Sequence, residues 1–320
     1  MAGSLTHLYF TKDIYNKLNK DQKELLKNHQ DLLNIYGQGF DVLFFDFLNK
    51  NRKLSNYFHN NNTKDFFINT IKYIKDNKLE QNPEAISFLY GFICHYSLDT
   101  IVHPYIIFRS GYFYKKRKKE TLKYNGVHDE YETYIDSYFV NERENKNINE
   151  IDISKFLNYK NYESNNELIN YVFLNTFNKK NYSKVFNRSI KNMKFLYKIL
   201  RNDKKGNKKK IYKLIDKITP KSSKRLVNVS YNVKLNKNIY YLNLDKRKWS
   251  HPLDKNETYN LSFLELYENA IKNAMKLINA SNKVLYKNEN ISYLDKYFTN
   301  LSYSTGKDCS IKKEFKYFNF

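Results

Sequence analysis

In the stretch GFICHYSLDTIVHPYI, residues 91–106, a histidine, an aspartate and a second histidine recur at four-residue steps as His95, Asp99 and His103. On a helix of about 3.6 residues per turn such positions fall along one narrow stripe, here among Phe92, Ile93, Leu98, Ile101 and Val102. Imidazole and carboxylate groups in apolar surroundings require partners. The spacing recurs at His128 and Glu132, with Asp136 one turn further on. His7 in LTH, Asp41 after the glycine pair of GQGFD and His59 in YFHNNNT complete the candidates. They exceed the tetrahedral shell of one ion and suffice for a cluster of two or three. Nitrogen and oxygen donors without thiolate suit zinc, with manganese and iron as alternatives. A single histidine on an apolar face is more often a hydrogen-bonded core residue, the better account of His7 or His59 taken alone. Two helical pairs in neighbouring segments favour a metal. Asp136 is placed to orient a ligand. His29 and His251 have no such company.

These side chains need helices to hold them. Eight Gly and four Pro in 320 residues argue for long helices with short connections, not a barrel or sandwich of many turns. The pattern predicts helices over 5–34 with a break near Lys20–Asp21, then a loop that delivers Asp41 to the start of another helix. Thr63 is an N-cap for a helix bearing Phe66, Phe67, Ile71 and Ile74. Pro83 suits the first turn of the motif helix, and Pro104 is expected to end it near His103. Further helices are expected at 127–141, 166–178, 182–201 and 262–286; RLVNVSYNV, residues 225–233, reads as strand or insertion. The expectation is one all-α domain over residues 1–300, with a basic irregular insertion at about 202–245 and a C-terminal tail at 301–320.

The formal net charge of +23 invites an anionic partner, either nucleic acid or a lipid surface. The sequence is equally crowded with Asn, Ile, Tyr and Phe, as AT-rich coding DNA would give, so much of the lysine excess reads as solvated surface. Two cysteines, Cys94 and Cys309, exclude a disulfide framework. The opening MAGSLTHLYF has no basic segment leading into an apolar one. No apolar run comes near the length of about 18 residues that a membrane span requires. A cytoplasmic protein in a reducing compartment is the expectation, with peripheral membrane association compatible.

The order Asp41, His59, HxxxD at 95–99, His103 and HxxxE at 128–132 resembles the bacterial zinc-dependent phospholipase C family, whose wider relatives include zinc-dependent single-strand nucleases. LTH at 5–7, GQGFD at 37–41, the 91–106 stretch and KRKWSHPLDKNETYNLSFLELYENA at 246–270 are similar to members of that family. The resemblance implies an all-helical fold. It implies one zinc held by Asp41, His59, His95 and Asp99, and a second held by His103, His128 and Glu132. Asp99 would also reach a third ion bound by His7. In secreted members that third site uses the amino group and carbonyl of an N-terminal tryptophan. This sequence begins MAGS and its one Trp is Trp249, so two ions are expected and the third lacks that donor. The step from Asp99 to His103 is also shorter than in the secreted enzymes.

Adjacent divalent ions grip a phosphodiester and acidify bound water. The reaction class is phosphoester hydrolysis, with Asp41 the residue that orients or deprotonates the water. On the resemblance the substrate is a phospholipid, giving diacylglycerol and a phosphorylated head group. The loop YFYKKRKK carries Lys115, Lys116, Arg117, Lys118 and Lys119 beside Tyr112, Phe113 and Tyr114. It is expected at the cleft mouth, meeting anionic lipid, tracking a nucleic-acid backbone or simply solvated. Rival readings are a nuclease of the same fold, an HD-type phosphohydrolase built on His128–Asp129, and a non-catalytic protein whose metals only tie helices together.

Overall fold

The computed structural model describes residues 3–46, 52–157, 162–201, 203–218, 227, 230–231 and 239–319. Most of RLVNVSYNV lies outside that set. The expected first helix is three: α1 (Ser4–Lys17), α2 (Lys20–Leu26) and α3 (Gln30–Tyr36). Asn19 sets the first break, because its side chain accepts from the Gln22 N–H while Gln22 reaches back in a capping box. A 3-10 turn (Gly39–Phe45) follows, then α4 (Arg52–Phe58) and α5 (Thr63–Asp76). The cap of α5 is not Thr63 itself. Asn62 is left-handed at φ 53°, and the Asn300 side chain accepts the Thr63 N–H at 2.9 Å.

The motif run forms α6 (Pro83–Ser110), 28 residues long, begun by Asn82, whose side chain accepts from the Ala85 N–H. It does not end at His103. Pro104 removes one backbone donor and leaves the Thr100 carbonyl without its helical partner. Gly306, at φ +62°, lays bare backbone on that carbonyl, where a β-carbon would come within 2.3 Å. The aromatic and β-branched residues of α6 lose at most about 0.7 kcal/mol each in helix propensity. Burial of each large side chain returns about 1.5–3 kcal/mol, so tertiary packing carries the helix through the proline. Contrary to the sequence expectation, α6 is long and apolar enough to cross a membrane by length and composition. Its apolar stretch is 94% buried inside the protein, which makes α6 a core helix.

After the short α7 (Lys118–Thr121) come α8 (Val127–Glu144), α9 (Asn166–Phe177), α10 (Tyr182–Leu196) with a π turn at Tyr197–Arg201, and α11 (Asn207–Ile218). A small antiparallel hairpin, β1 (Trp249–His251) and β2 (Asp254–Tyr259), pairs Trp249 with Tyr259. Trp249 stacks on Tyr259 at 4.5 Å and meets Tyr105 of α6 edge-on. The last helix, α12 (Phe263–Tyr286), starts at a Ser262–Glu265 capping box and buries Phe263, Ala270, Ala274 and Ile278 along one stripe. It packs along α6, as do α1, α3 and α8. The fold is all-α and forms a single domain around α6. Residues 301–319 run back over the body: Tyr303 is fully buried, and Phe315 packs with Ile107 and Leu253.

Candidate metal centre

α6 presents His95, Asp99 and His103 on one buried stripe, and four elements bring the remaining candidates to it. His7 comes from α1, Asp41 from the 3-10 turn, His59 from just past α4, and His128 and Glu132 from the first two turns of α8. The 3-10 turn fits only because of Gly39, at φ +52°, where a β-carbon would lie 2.2 Å from the His95 ring. Two groups result. Asp41, His59, His95 and Asp99 each offer a donor atom within 4.8 Å of the others, as do His103, His128 and Glu132.

The first group is enclosed. His59 Nε2 lies 3.0 Å from Asp41 Oδ1 and 3.3 Å from His95 Nε2. His95 Nε2 lies 3.4 Å from Asp99 Oδ2 and 3.7 Å from Asp41 Oδ1. Asp99 Oδ2 is also 3.8 Å from His103 Nδ1, so this carboxylate stands between the two groups. His7 stacks on His95 with ring centroids 4.4 Å apart, and its Nε2 is 3.4 Å from Asp99 Oδ1. The second group opens outward. His128 Nε2 is 2.8 Å from Glu132 Oε1, and the His128 side chain is 29% exposed.

The tautomers decide whether a cation fits. His59 Nδ1 donates to the Ser55 carbonyl at 2.7 Å, so Nε2 turns a lone pair toward Asp41 and His95. His103 Nδ1 donates to the Tyr303 carbonyl at 2.8 Å, leaving Nε2 buried without a hydrogen-bond partner among the described residues. Lone pairs and carboxylate oxygens thus converge in a buried interior, where an unsatisfied polar atom costs about 1–3 kcal/mol. A divalent cation removes that cost, and nitrogen and oxygen donors suit zinc. Ser55 and Tyr303 supply the carbonyl contacts that orient metal-binding histidines elsewhere. The Ser55 contact follows from i−4 spacing once His59 is placed at a helix end. Tyr303 has no local signal, being 200 residues from His103 in sequence.

Protonation follows from burial and charge. Burial pushes His95 well below its ordinary value and His103 down to about 3, against the pull of Asp99. Burial alone would raise Asp99 and Glu132. Attraction to the protonated forms of His103, His95 and His7 instead places Asp99 well below the carboxylate range, and His128 helps hold Glu132 at about 2. Asp41 is raised, chiefly by burial, with the Asp99 charge adding and His59 opposing. For His7 burial is outweighed by Asp99 and Asp41, and its value rises. Neutral His95 and His103 beside ionised Asp99 and Glu132 are the states that metal ligation requires.

Asp136, expected to orient a ligand, holds the start of α1. Its Oδ1 accepts the Thr6 N–H and hydroxyl at 2.8 Å each, and its Oδ2 accepts the Tyr231 hydroxyl at 2.8 Å. It caps the helix that carries His7. In the basic loop, Arg117 pairs with Glu314 at 2.8 Å, and Lys116 and Lys119 are exposed. The side chains of Lys115 and Lys118 lie outside the described set. A cavity of about 610 Å³ between α2 and α12, lined by Gln22, Asn279, Asn282 and Tyr286 among others, contains none of the candidate ligands.

Residues 6–212 match the sequence profile of the family described as zinc dependent phospholipase C. The chain belongs to that family. No curated protein and no solved structure matches it. The span that carries the family likeness contains all eight candidate ligands, from His7 to Glu132. It stops before the hairpin, α12 and the 301–319 segment that bears Tyr303, so part of the scaffold around the metal centre lies beyond it.

Proposed function

We propose that this protein is a zinc-dependent phosphodiester hydrolase that cleaves phospholipids in the phospholipase C manner. The observation that carries the reading is the pair of donor groups flanking one buried carboxylate, with Asp99 Oδ2 at 3.4 Å from His95 and 3.8 Å from His103. Asp41, His59, His95 and Asp99 would hold one zinc, and His103, His128 and Glu132 a second. His7 faces Asp99 and would serve a third. Zinc, when bound, supplies Lewis-acid polarisation of the phosphoryl oxygens and lowers the pKa of bound water. Asp41 takes a proton from the attacking water; it is the acidic donor carried by the 3-10 turn and not by an α-helix. His59 Nε2 stands 3.0 Å from that carboxylate, so one cation would bridge the two, and the surrounding aromatic core excludes bulk water. The open His128 edge is the approach for a head group.

The test is elemental analysis followed by activity. Protein purified without added metal should carry at least two zinc equivalents, and His95→Ala should lose most of them. Phosphatidylcholine vesicles should yield diacylglycerol, single-stranded DNA should not be cut, and Asp41→Asn should keep its zinc while losing turnover. A folded, metal-free protein would end the proposal, and cleavage of DNA alone would make it a nuclease.

A further inference from the structure

α11 is turned the wrong way out for a helix that serves only the core. Its sequence, NKKKIYKLIDKI, places Ile211, Leu214 and Ile218 on one stripe, and they are 55%, 59% and 71% exposed. The side facing the protein is the polar one. Tyr212 is buried, Lys209 Nζ donates to the Ser230 carbonyl at 3.1 Å, and Asp216 accepts the Val227 N–H at 2.8 Å. An amphipathic helix ordinarily buries its apolar stripe; this one buries part of its polar face and presents the stripe to solvent. Lys208, Lys210, Lys213 and Lys217 lie on the same helix outside that inward contact. Lys208 Nζ also donates to the Ile199 carbonyl in the π turn after α10; Ile199 in that turn and Phe195 near the end of α10 are exposed apolar residues. The patch therefore extends beyond α11.

We infer that α11 is an interfacial helix that docks the protein on a lipid bilayer bearing anionic head groups. An apolar stripe flanked by lysines is the pattern that lies in a membrane interface, with the side chains entering the acyl boundary and the cations meeting anionic lipid. The charge selects the occupant: a neutral apolar groove on a protein would leave the lysines without counterions. The position suits the task. Ser230, held by Lys209, precedes Tyr231, whose hydroxyl binds Asp136 one turn beyond Glu132 on α8. α11 is thus linked to the helix on which His128 opens to solvent. Membrane docking here deepens the phospholipid reading and rests on it for its purpose, but it is measured separately from turnover.

The experiment is vesicle flotation of the full chain, comparing wild type with the triple variant Ile211→Gln, Leu214→Gln, Ile218→Gln. Vesicles of phosphatidylcholine with phosphatidylglycerol should capture the wild type, vesicles of phosphatidylcholine alone should capture less, and the variant should bind the mixed vesicles at least about tenfold more weakly. Its Tm and its turnover of a soluble phosphodiester, p-nitrophenyl phosphorylcholine, should equal those of the wild type. Equal binding by wild type and variant overturns the inference. So does a marked fall in Tm, which would mean that the stripe is covered within the chain. So does a wild-type dimer that the variant dissolves, which would make the occupant a second copy. Intact vesicle binding with no turnover of either substrate would refute the catalytic reading and leave this one standing.

Discussion

Gly39→Ala tests whether the metal centre depends on close approach of backbone to ligand. The position has φ +52°, which costs an alanine about 1–2 kcal/mol by itself. The new β-carbon would stand 2.2 Å from His95 Cδ2, and ordinary contact begins near 3.4 Å, so ring and turn must part by about 1.2 Å. The ring has nowhere to go: His7 stacks on it at 4.4 Å, and Tyr303 lies 5.4 Å away. A displacement of about 1 Å can cost a catalytic site about a hundredfold, so we expect turnover to fall by that order and bound zinc to drop below the wild-type equivalents. Gly37→Ala is the control, because its β-carbon presses on Thr11 at 2.3 Å and on no candidate ligand. It should lower Tm and leave the zinc content intact. The assays are elemental analysis, thermal denaturation and hydrolysis of a soluble phosphodiester. A Gly39→Ala protein with full zinc and wild-type turnover would refute the claim that the turn is wedged against His95.

Acid sensitivity of the metal-free protein should depend on His103. Its folded pKa is about 3 and its unfolded value about 6.5, so the unfolded chain takes up a proton first and stability falls as pH drops below about 6.5. The loss is about 2 kcal/mol at pH 5, and the Tm advantage of wild type over His103→Asn should shrink between pH 7 and 5; a pH-independent difference would contradict the buried neutral ring. Asn300→Ala should destabilise by about 1 kcal/mol, because it removes the acceptor at the Thr63 N–H that starts α5. An unchanged denaturation midpoint would show that the cap carries no weight.

The legible part of the site is the part written by local geometry. Four-residue spacing places His95 next to Asp99 and His128 next to Glu132 on any helix, and the structure adds only the meeting of the two helices. What the sequence did not disclose comes from distant partners. Pro104 looks like a helix end until Gly306 covers the carbonyl it strands. Thr63 looks like a cap until Asn300 provides one, and the bond from Thr6 to Asp136 has no local signal. These contacts bridge 130 to 237 residues of chain, and no periodicity encodes them.

The same reasoning bears on residues 299–306. Tyr303 donates its N–H to the His59 carbonyl at 2.9 Å and accepts from His103 at 2.8 Å, while its ring packs edge-on to His59 at 5.1 Å. One residue therefore touches a member of each donor group through its main chain. The Asn300 and Gly306 contacts anchor this strap on both sides, at the start of α5 and at the middle of α6. A helix stripe alone leaves each imidazole free to rotate about its side-chain bonds. The strap fixes the His103 tautomer, and with it the direction of the remaining lone pair. The donor types reside in the first half of the chain, and their orientation is completed by its end.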